Sequence, residues 1–148
     1  MLVKTKVLAT AIALLAINFA QLPIAQGRTN ANEVQTKGVI AIGTRYIGTP
    51  YCHGGNSPTC FDCSGFTQYV YKKTGGLLPH SANGQYKAVK RISKAKAKPG
   101  DLVFFMSHGN AYHVGIYVGN GKVLHSPKRG HKVRIERIWT SNVQYGRV

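Results

Sequence analysis

Two segments of the chain carry apolar residues at the spacing of a helix, and the second is the better defined. Asp62 is a favoured N-cap residue, and Gly75 lies where a helix would stop. Three apolar residues between them fall on one helical face: Phe66, Val70 and Tyr71. These features predict a helix that begins at Cys63. Residues 34–47 give a weaker helix prediction, because two glycines interrupt an otherwise suitable period.

After these segments the pattern changes to the alternation that is typical of strands. Residues 101–106 form a continuous apolar run, and residues 112–118 alternate between apolar and other side chains. Further strands are predicted at residues 123–125, 132–136 and 143–148. Early helices followed by a series of neighbouring strands predict a single α+β domain. In it, N-terminal helices pack on an antiparallel sheet of about five strands.

The turn after residue 118 decides whether two histidines share a face of this sheet. With a two-residue loop, His125 would lie opposite Ile116, and its side chain would project from the face of the sheet opposite to that of His113. A three-residue loop at residues 119–121 instead places His125 opposite Gly115 and diagonal to His113. Diagonal partners lie roughly 7 to 8 Å apart, and a glycine leaves room between two rings. We therefore predict the three-residue loop with a bulge.

The first residues have the order of a secretory signal peptide. Two lysines precede an apolar run from Val7 to Ala20, and the small residues Ala20, Ala25 and Gly27 follow at positions suited to cleavage. The run is too short to be a typical membrane span. We therefore expect residues 1–27 to be removed and residues 28–148 to form one exported domain without a membrane span, periplasmic or extracellular. An uncleaved N-terminal anchor is the alternative.

Charge narrows the possible functions. The 148 residues, enough for one domain, hold 20 Lys and Arg against 4 Asp and Glu, a net charge of +16. Removal of residues 1–27, which contain two lysines and no acid, would leave +14. Such an excess requires an anionic partner or surface. So few acids disfavour a multi-carboxylate metal site and a glycosidase carboxylate pair, and we expect neither a metal nor a cofactor.

The three cysteines, Cys52, Cys60 and Cys63, lie close together in the chain. An odd number in an exported protein leaves one thiol over. The turn-rich segment between Cys52 and Cys60 favours a disulfide there, with Cys63 free. Two alternatives stay open. One is a bridge between Cys60 and Cys63, which would remove the free thiol of Cys63, the best candidate nucleophile. The other is a zinc site formed by all three thiolates and His53.

A free Cys63 at the start of a helix is a candidate nucleophile, because unpaired backbone N–H groups and the helix dipole favour the thiolate. His113 is the candidate base, and His125 is the polar group that orients it. The backbone N–H of Cys63 and the hydroxyl of Tyr51 are candidate oxyanion donors. We expect activity to fall at acid pH as His125 becomes protonated. Surface or packing roles are expected for the remaining candidates: His53, His80, His108, His131 and Trp139.

Several motifs in order resemble the NlpC/P60 cell-wall peptidases. They are TPY at 49–51, GG at 54–55, FDCSGF at 61–66, PGDLVFF at 99–105 and HVGIYVGNG at 113–121. The resemblance covers residues 34–148 and implies a papain-like fold. It also implies hydrolysis of peptidoglycan stem peptides, typically between γ-D-glutamate and a diamino acid such as meso-diaminopimelate. Carried over by motif, Cys63 is the nucleophile, His113 the base, His125 the third polar member and Tyr51 the oxyanion-side tyrosine. Asp62 and Ser64 would contact the substrate.

One position departs from the family pattern, and two other functions stay open. The family often has arginine in the LPR(S/T) stretch after the helix, whereas residues 78–81 are LPHS. A non-catalytic cationic protein that binds envelope polymers or nucleic acid would explain the charge but not the cysteine and histidines. The chain lacks the stacked aromatics of nucleic-acid grooves, so no nucleic-acid partner is expected. An amidase or acyltransferase could use the same Cys-His pair.

Overall fold

The computed structural model describes residues 31–148, with side chains from residue 38 onward, so the predicted signal peptide lies outside the described residues. The helices are α1 (Ala31–Thr44), α2 (Cys63–Lys72) and α3 (Ala82–Ala88), with a 3-10 turn at Lys94–Lys96. The strands are β1 (Asn56–Ser57), β2 (Cys60–Phe61), β3 (Lys90–Ile92), β4 (Leu102–Ser107), β5 (Asn110–Gly119), β6 (Lys122–His125), β7 (Arg134–Arg137) and β8 (Val143–Arg147).

The main sheet has six strands in the order β3-β8-β4-β5-β6-β7, and each pair of neighbours is antiparallel. Strands β1 and β2 form a separate ribbon. The α+β prediction is confirmed, since three helices pack with antiparallel sheets. The sheet has one strand more than about five, because β3 pairs with β8 at the edge. Most of β3 is exposed and basic, which suits an edge strand and leaves no apolar alternation to detect.

The larger core joins helix α2 to the sheet and fixes where the helix begins. Phe66 and Val70 of α2 are fully buried with Phe104, Val114 and Ile116 of strands β4 and β5. Burial of each such side chain contributes about 1.5 to 3 kcal/mol, so the position of α2 against β5 is strongly set. The start of α2 therefore has a defined place beside β5.

Helix α2 begins as the sequence predicts. Asp62 is the N-cap, and its Oδ1 accepts a hydrogen bond of 2.6 Å from the backbone N–H of Gly65. The loop that carries the ribbon passes close to this first turn. A Cβ atom at Gly65 would overlap the carbonyl oxygen of Gly55 and lie 2.9 Å from His80 Nε2. A glycine is required at this position because the two backbones approach so closely.

The β5–β6 hairpin has the predicted register. Ile116 pairs with Leu124 and Tyr117 with Val123, which puts His125 opposite Gly115. A Cβ atom at Gly115 would lie 2.8 Å from His125 Cβ and would overlap Val123. The absence of a side chain at Gly115 therefore makes room for His125.

The predicted three-residue loop is wrong. The turn has two residues, Asn120 and Gly121, with φ values of 51° and 67°, and the pair Gly119–Lys122 closes it. The extra residue is Val118, which forms a bulge within the strand. A bulge next to a two-residue turn shifts the register by one, as a longer loop would, so the histidines still share a face.

Candidate active site

Cys63 opens helix α2 and is the free cysteine, because Cys52 and Cys60 form a disulfide with Cα atoms 5.5 Å apart. Two alternatives from the sequence are therefore wrong. Cys60 does not bridge Cys63, and Cys52 and Cys60 are not available to hold zinc. The bridge closes the loop of residues 53–59, which directly follows Tyr51 and Cys52, and Cys60 lies two residues before Asp62.

His113 and His125 come together across the hairpin. Nε2 of His113 lies 2.7 Å from Nδ1 of His125, which is a hydrogen bond between the two rings. His113 is 7% exposed and His125 is fully buried. The structure therefore brings together the two imidazoles that the strand register predicts as partners.

These side chains meet at one cleft. Cys63, His113, His125 and Tyr51 all line a cavity of about 470 Å³. Burial, followed by the nearby Cys63 and Asp62, raises the pKa of Tyr51, which keeps its hydroxyl protonated as a donor. The predicted nucleophile, base, orienting group and phenolic donor therefore share a single site.

A second part of the cleft, of about 510 Å³, lies around Asp62 and Ser64 and also includes Tyr51 and Cys63. Asp62 Oδ2 accepts from the backbone N–H of Gly54 at 3.0 Å, and Oδ1 accepts from the Ser64 hydroxyl at 3.1 Å. Ser64 is only 5% exposed. In this structure Asp62 joins the first turn of α2 to the disulfide loop, and the Ser64 hydroxyl donates to Asp62.

The protonation states differ from the expectation for a helix N-terminus. Burial raises the pKa of the Cys63 thiol, and Asp62 adds to this effect, while backbone N–H groups that include those of Val114 and Ser64 oppose it. The backbone N–H groups act in the predicted direction and favour the thiolate, but desolvation of Cys63 outweighs them. Cys63 at rest is therefore a thiol.

Both histidines are neutral near pH 7. Burial, and then the neighbouring His125, lowers the pKa of His113 to about 3. Burial, and then the charge of Arg134, lowers the pKa of His125 to about 4. The fall in activity that we expect when His125 becomes protonated therefore lies near pH 4. It does not lie within the pH 5–8 range where an ordinary histidine titrates.

Sequence reasoning missed Glu136. Its Oε1 lies 2.9 Å from Nε2 of His125, although no aligned hydrogen bond to that nitrogen forms among the described residues. Its Oε2 accepts from Arg134 Nε at 2.8 Å. The acidic residue in an otherwise basic β7 was the available signal, since Glu136 is one of only four acids in the chain.

Two residues expected to be inert lie in the cleft. Trp139 stacks on Phe105 with ring centroids 4.0 Å apart, yet 51% of it is exposed and it lines the cavity beside the histidines. His80 Nε2 lies 3.0 and 2.9 Å from the two oxygens of Asp62. His80 occupies the position of the arginine in the family pattern, and it contacts the carboxylate that caps α2.

The arrangement defines a class of protein: an α+β domain with a thiol at a helix N-terminus and a histidine pair on the adjoining sheet. The family model of the NlpC/P60 family matches residues 48–146, a range that contains every site residue above. The chain therefore belongs to the NlpC/P60 family, as the motifs indicate.

Individual relatives agree with this assignment. The probable endopeptidase p60 of Listeria innocua is 50% identical over 94 residues, 64% of this chain and 20% of that protein. The γ-D-glutamyl-L-lysine dipeptidyl-peptidase of Bacillus subtilis is 40% identical over 117 residues, 77% of this chain and 38% of that protein. The chain thus spans a fifth to two fifths of the length of these two relatives.

A solved structure shows the same fold. The crystal structure of the NlpC/p60 domain of the peptidoglycan hydrolase SagA has a TM-score of 0.71 and 39% identity, covering 76% of this chain and 98% of that domain. Within residues 31–148, no helix is long and apolar enough to cross a membrane.

Proposed function

We propose that this protein is an exported cysteine endopeptidase that hydrolyses peptidoglycan stem peptides. The bond is the one between γ-D-glutamate and a diamino acid, meso-diaminopimelate. In this proposal residues 1–27 are a signal peptide, and residues 28–148 are the catalytic domain that acts in the periplasm or the cell wall. The observation that carries the proposal is the placement of Cys63, the bonded pair His113–His125 and Tyr51 around one cleft.

The chemistry follows from this geometry. His113, neutral at rest, takes the thiol proton as Cys63 attacks the carbonyl carbon of the γ-D-glutamyl group. The backbone N–H of Cys63 and the hydroxyl of Tyr51 stabilise the oxyanion. His113 then gives the proton to the amine of the diamino acid, which leaves. Water, activated by His113, hydrolyses the thioester and restores the thiol.

Charge at the cleft supports an anionic substrate. Lys128 lines the part of the cleft that contains the histidines. Arg129 lies close enough to Tyr51 to lower its pKa in part. A stem peptide carries the free α-carboxylate of γ-linked glutamate, and meso-diaminopimelate adds one more carboxylate than lysine does. Cations on this side match those groups.

The remaining positive charge has a second role in this proposal. A basic run lies on α3, β3, the 3-10 turn and the loop that follows it: Lys87, Lys90, Arg91, Lys94, Lys96 and Lys98. Long-range attraction to the carboxylates and phosphates of the envelope would hold the enzyme on its polymer. Stem peptides and anionic envelope polymers are thus its proposed partners.

Cleavage of defined tripeptides tests the proposed bond. The purified protein is incubated with L-Ala-γ-D-Glu-meso-diaminopimelate, with its L-lysine counterpart and with the α-linked glutamyl isomer, and the products are identified by mass spectrometry. We expect free diaminopimelate from the γ-linked peptide, slower release of lysine, and no cleavage of the α-linked isomer. Cys63→Ala and His113→Ala should form no product, whereas Lys98→Ala should match the unmodified protein. Intact γ-linked peptides, or cleavage by Cys63→Ala, would overturn the proposal.

A further inference from the structure

Beyond the histidine pair, the buried ring nitrogen of His125 has an acidic neighbour. Nε2 of His125 lies 2.9 Å from Oε1 of Glu136. His125 is fully buried, while the Glu136 side chain is 30% exposed. No group among the described residues makes an aligned hydrogen bond to this nitrogen. Glu136 thus places a carboxylate oxygen within hydrogen-bond distance of a buried ring nitrogen that has no aligned partner.

We propose that Glu136 is a positioning residue that fixes the tautomers of both histidines so that His113 presents an unprotonated Nδ1 to the Cys63 thiol. Its expected effect on kcat rests on the proposed peptidase function. Its expected effect on the histidine tautomers does not.

The distance between Glu136 and His125 decides the first tautomer. If Nε2 were unprotonated, its lone pair would face a carboxylate oxygen at 2.9 Å, and the two would repel each other. With a proton on Nε2, the same contact is attractive, and a small rotation of the partly exposed carboxylate aligns a hydrogen bond. Neutral His125 therefore carries its proton on Nε2 and has a lone pair on Nδ1.

The first tautomer determines the second. Nδ1 of His125 contacts Nε2 of His113 at 2.7 Å, so one of these two nitrogens must donate. Since Nδ1 of His125 has only a lone pair, Nε2 of His113 donates. The remaining ring nitrogen of His113, Nδ1, then has the lone pair that receives the proton of Cys63, which lines the same cleft.

Arg134 determines which oxygen of Glu136 faces His125. Its Nε and Nη2 both lie 2.8 Å from Oε2 of Glu136, which leaves Oε1 directed to His125. Nη1 of the same guanidinium contacts Nδ1 of His131 at 2.9 Å, which anchors it to the preceding loop. Strand β7 thereby determines the protonation pattern of residues on β5 and β6.

This arrangement makes an unusual prediction for Glu136→Gln, the most conservative change. Arg134 can only donate, so it would keep the amide oxygen of the glutamine on its own side. The amide NH2 would then face Nε2 of His125 and donate to it. That contact requires a lone pair on Nε2, which moves the proton of His125 to Nδ1 and that of His113 to its own Nδ1. His113 could no longer accept the proton of Cys63.

Nitrogen chemical shifts of ¹⁵N-labelled histidine at pH 7 test the tautomers without any assay of activity. In the unmodified protein we expect both His113 and His125 to be protonated on Nε2, and in Glu136→Gln both on Nδ1. Arg137→Gln, at the exposed neighbouring position of β7, serves as the matched control and should leave both tautomers unchanged. A protonated Nδ1 on His113 in the unmodified protein, or identical tautomers in the protein and Glu136→Gln, would overturn the proposal.

Kinetics provide a second readout. We expect kcat to fall about tenfold to a hundredfold in Glu136→Gln with KM unchanged, and to fall less in Glu136→Ala, where water can accept from Nε2. A merely structural role would give the opposite order, because glutamine preserves the packing and alanine does not. Equal kcat values for glutamine and glutamate would refute the kinetic claim. If the unmodified protein cleaved no stem peptide but showed the expected tautomers, the peptidase proposal would fail and this inference would stand.

Discussion

Acid should destabilise this protein at a pH where most domains are still at their most stable. His113 and His125 have folded pKa values of about 3 and about 4, well below the ordinary value of 6.5. The unfolded chain therefore takes up protons at these two sites before the folded protein does. The stability that the neutral pair contributes is complete above pH 6.5 and is lost as the pH falls toward the folded pKa values.

The size of the effect follows from the two buried rings. Each pH unit below the unfolded pKa costs about 1.4 kcal/mol per histidine while the folded form stays neutral. Between pH 6.5 and pH 5.0 the two histidines together should lower the free energy of unfolding by about 3 kcal/mol. Carboxylates, with ordinary pKa values of about 4, contribute little in that interval. The total free energy of unfolding of a small domain is only about 5 to 15 kcal/mol, so a loss of this size is large.

Urea unfolding at half-unit steps of pH, followed by circular dichroism, measures this dependence. In the unmodified protein, about two protons should be taken up on unfolding at pH 5. His125→Gln, which keeps a polar side chain without a titrating ring, should lower that number to about one, and Cys63→Ala should leave it at two. A free energy of unfolding that stays constant from pH 6.5 to 5.0, or an equal slope in His125→Gln, would refute the assignment of neutral buried imidazoles.

Three further outcomes are expected. Gly115→Ala should lower the free energy of unfolding, measured in urea, by about 1 to 3 kcal/mol, because the new Cβ overlaps Val123 and crowds His125. A variant as stable as the unmodified protein would contradict the register of the hairpin. Reduction of Cys52–Cys60 should cost about 2 to 3 kcal/mol, seen as a lower melting temperature with dithiothreitol, whereas Cys52→Ser should show no response to the reductant. A high salt concentration should slow digestion of purified sacculi relative to a low one, but it should not slow cleavage of a soluble tripeptide. Equal rates of sacculus digestion at the low and high salt concentrations would exclude an electrostatic role for the basic surface.

The parts of the fold that the sequence predicts are those with local signals. The N-cap Asp62 and the glycines after Lys73 define helix α2, so the position of Cys63 follows from a few neighbouring residues. Alternation along β5 likewise places His113 and Gly115 on one face. The contact between the histidines follows from that register, although the extra residue lies in a bulge and not in the turn.

What the sequence does not reveal depends on contacts between distant segments. Strand β3 has no apolar alternation and exists because β8 pairs with it. Burial of Cys63 under β5 reverses the direction of its pKa shift, and no local pattern reports that burial. The proximity of Glu136 to His125 depends on the pairing of β6 with β7, in which His125 lies beside Arg134.

The scarcity of acids and the structure of the site are connected. Each acid whose side chain the structure describes is bound in place: Asp62 caps α2 and contacts His80, Asp101 binds Arg147 at 2.7 Å, and Glu136 joins Arg134 to His125. Asp101 is also only 3% exposed. Since these carboxylates are used inside the fold, they do little to offset the cations on the outside. The surface that we propose meets an anionic polymer is therefore more uniformly basic than a net charge of +16 alone would require.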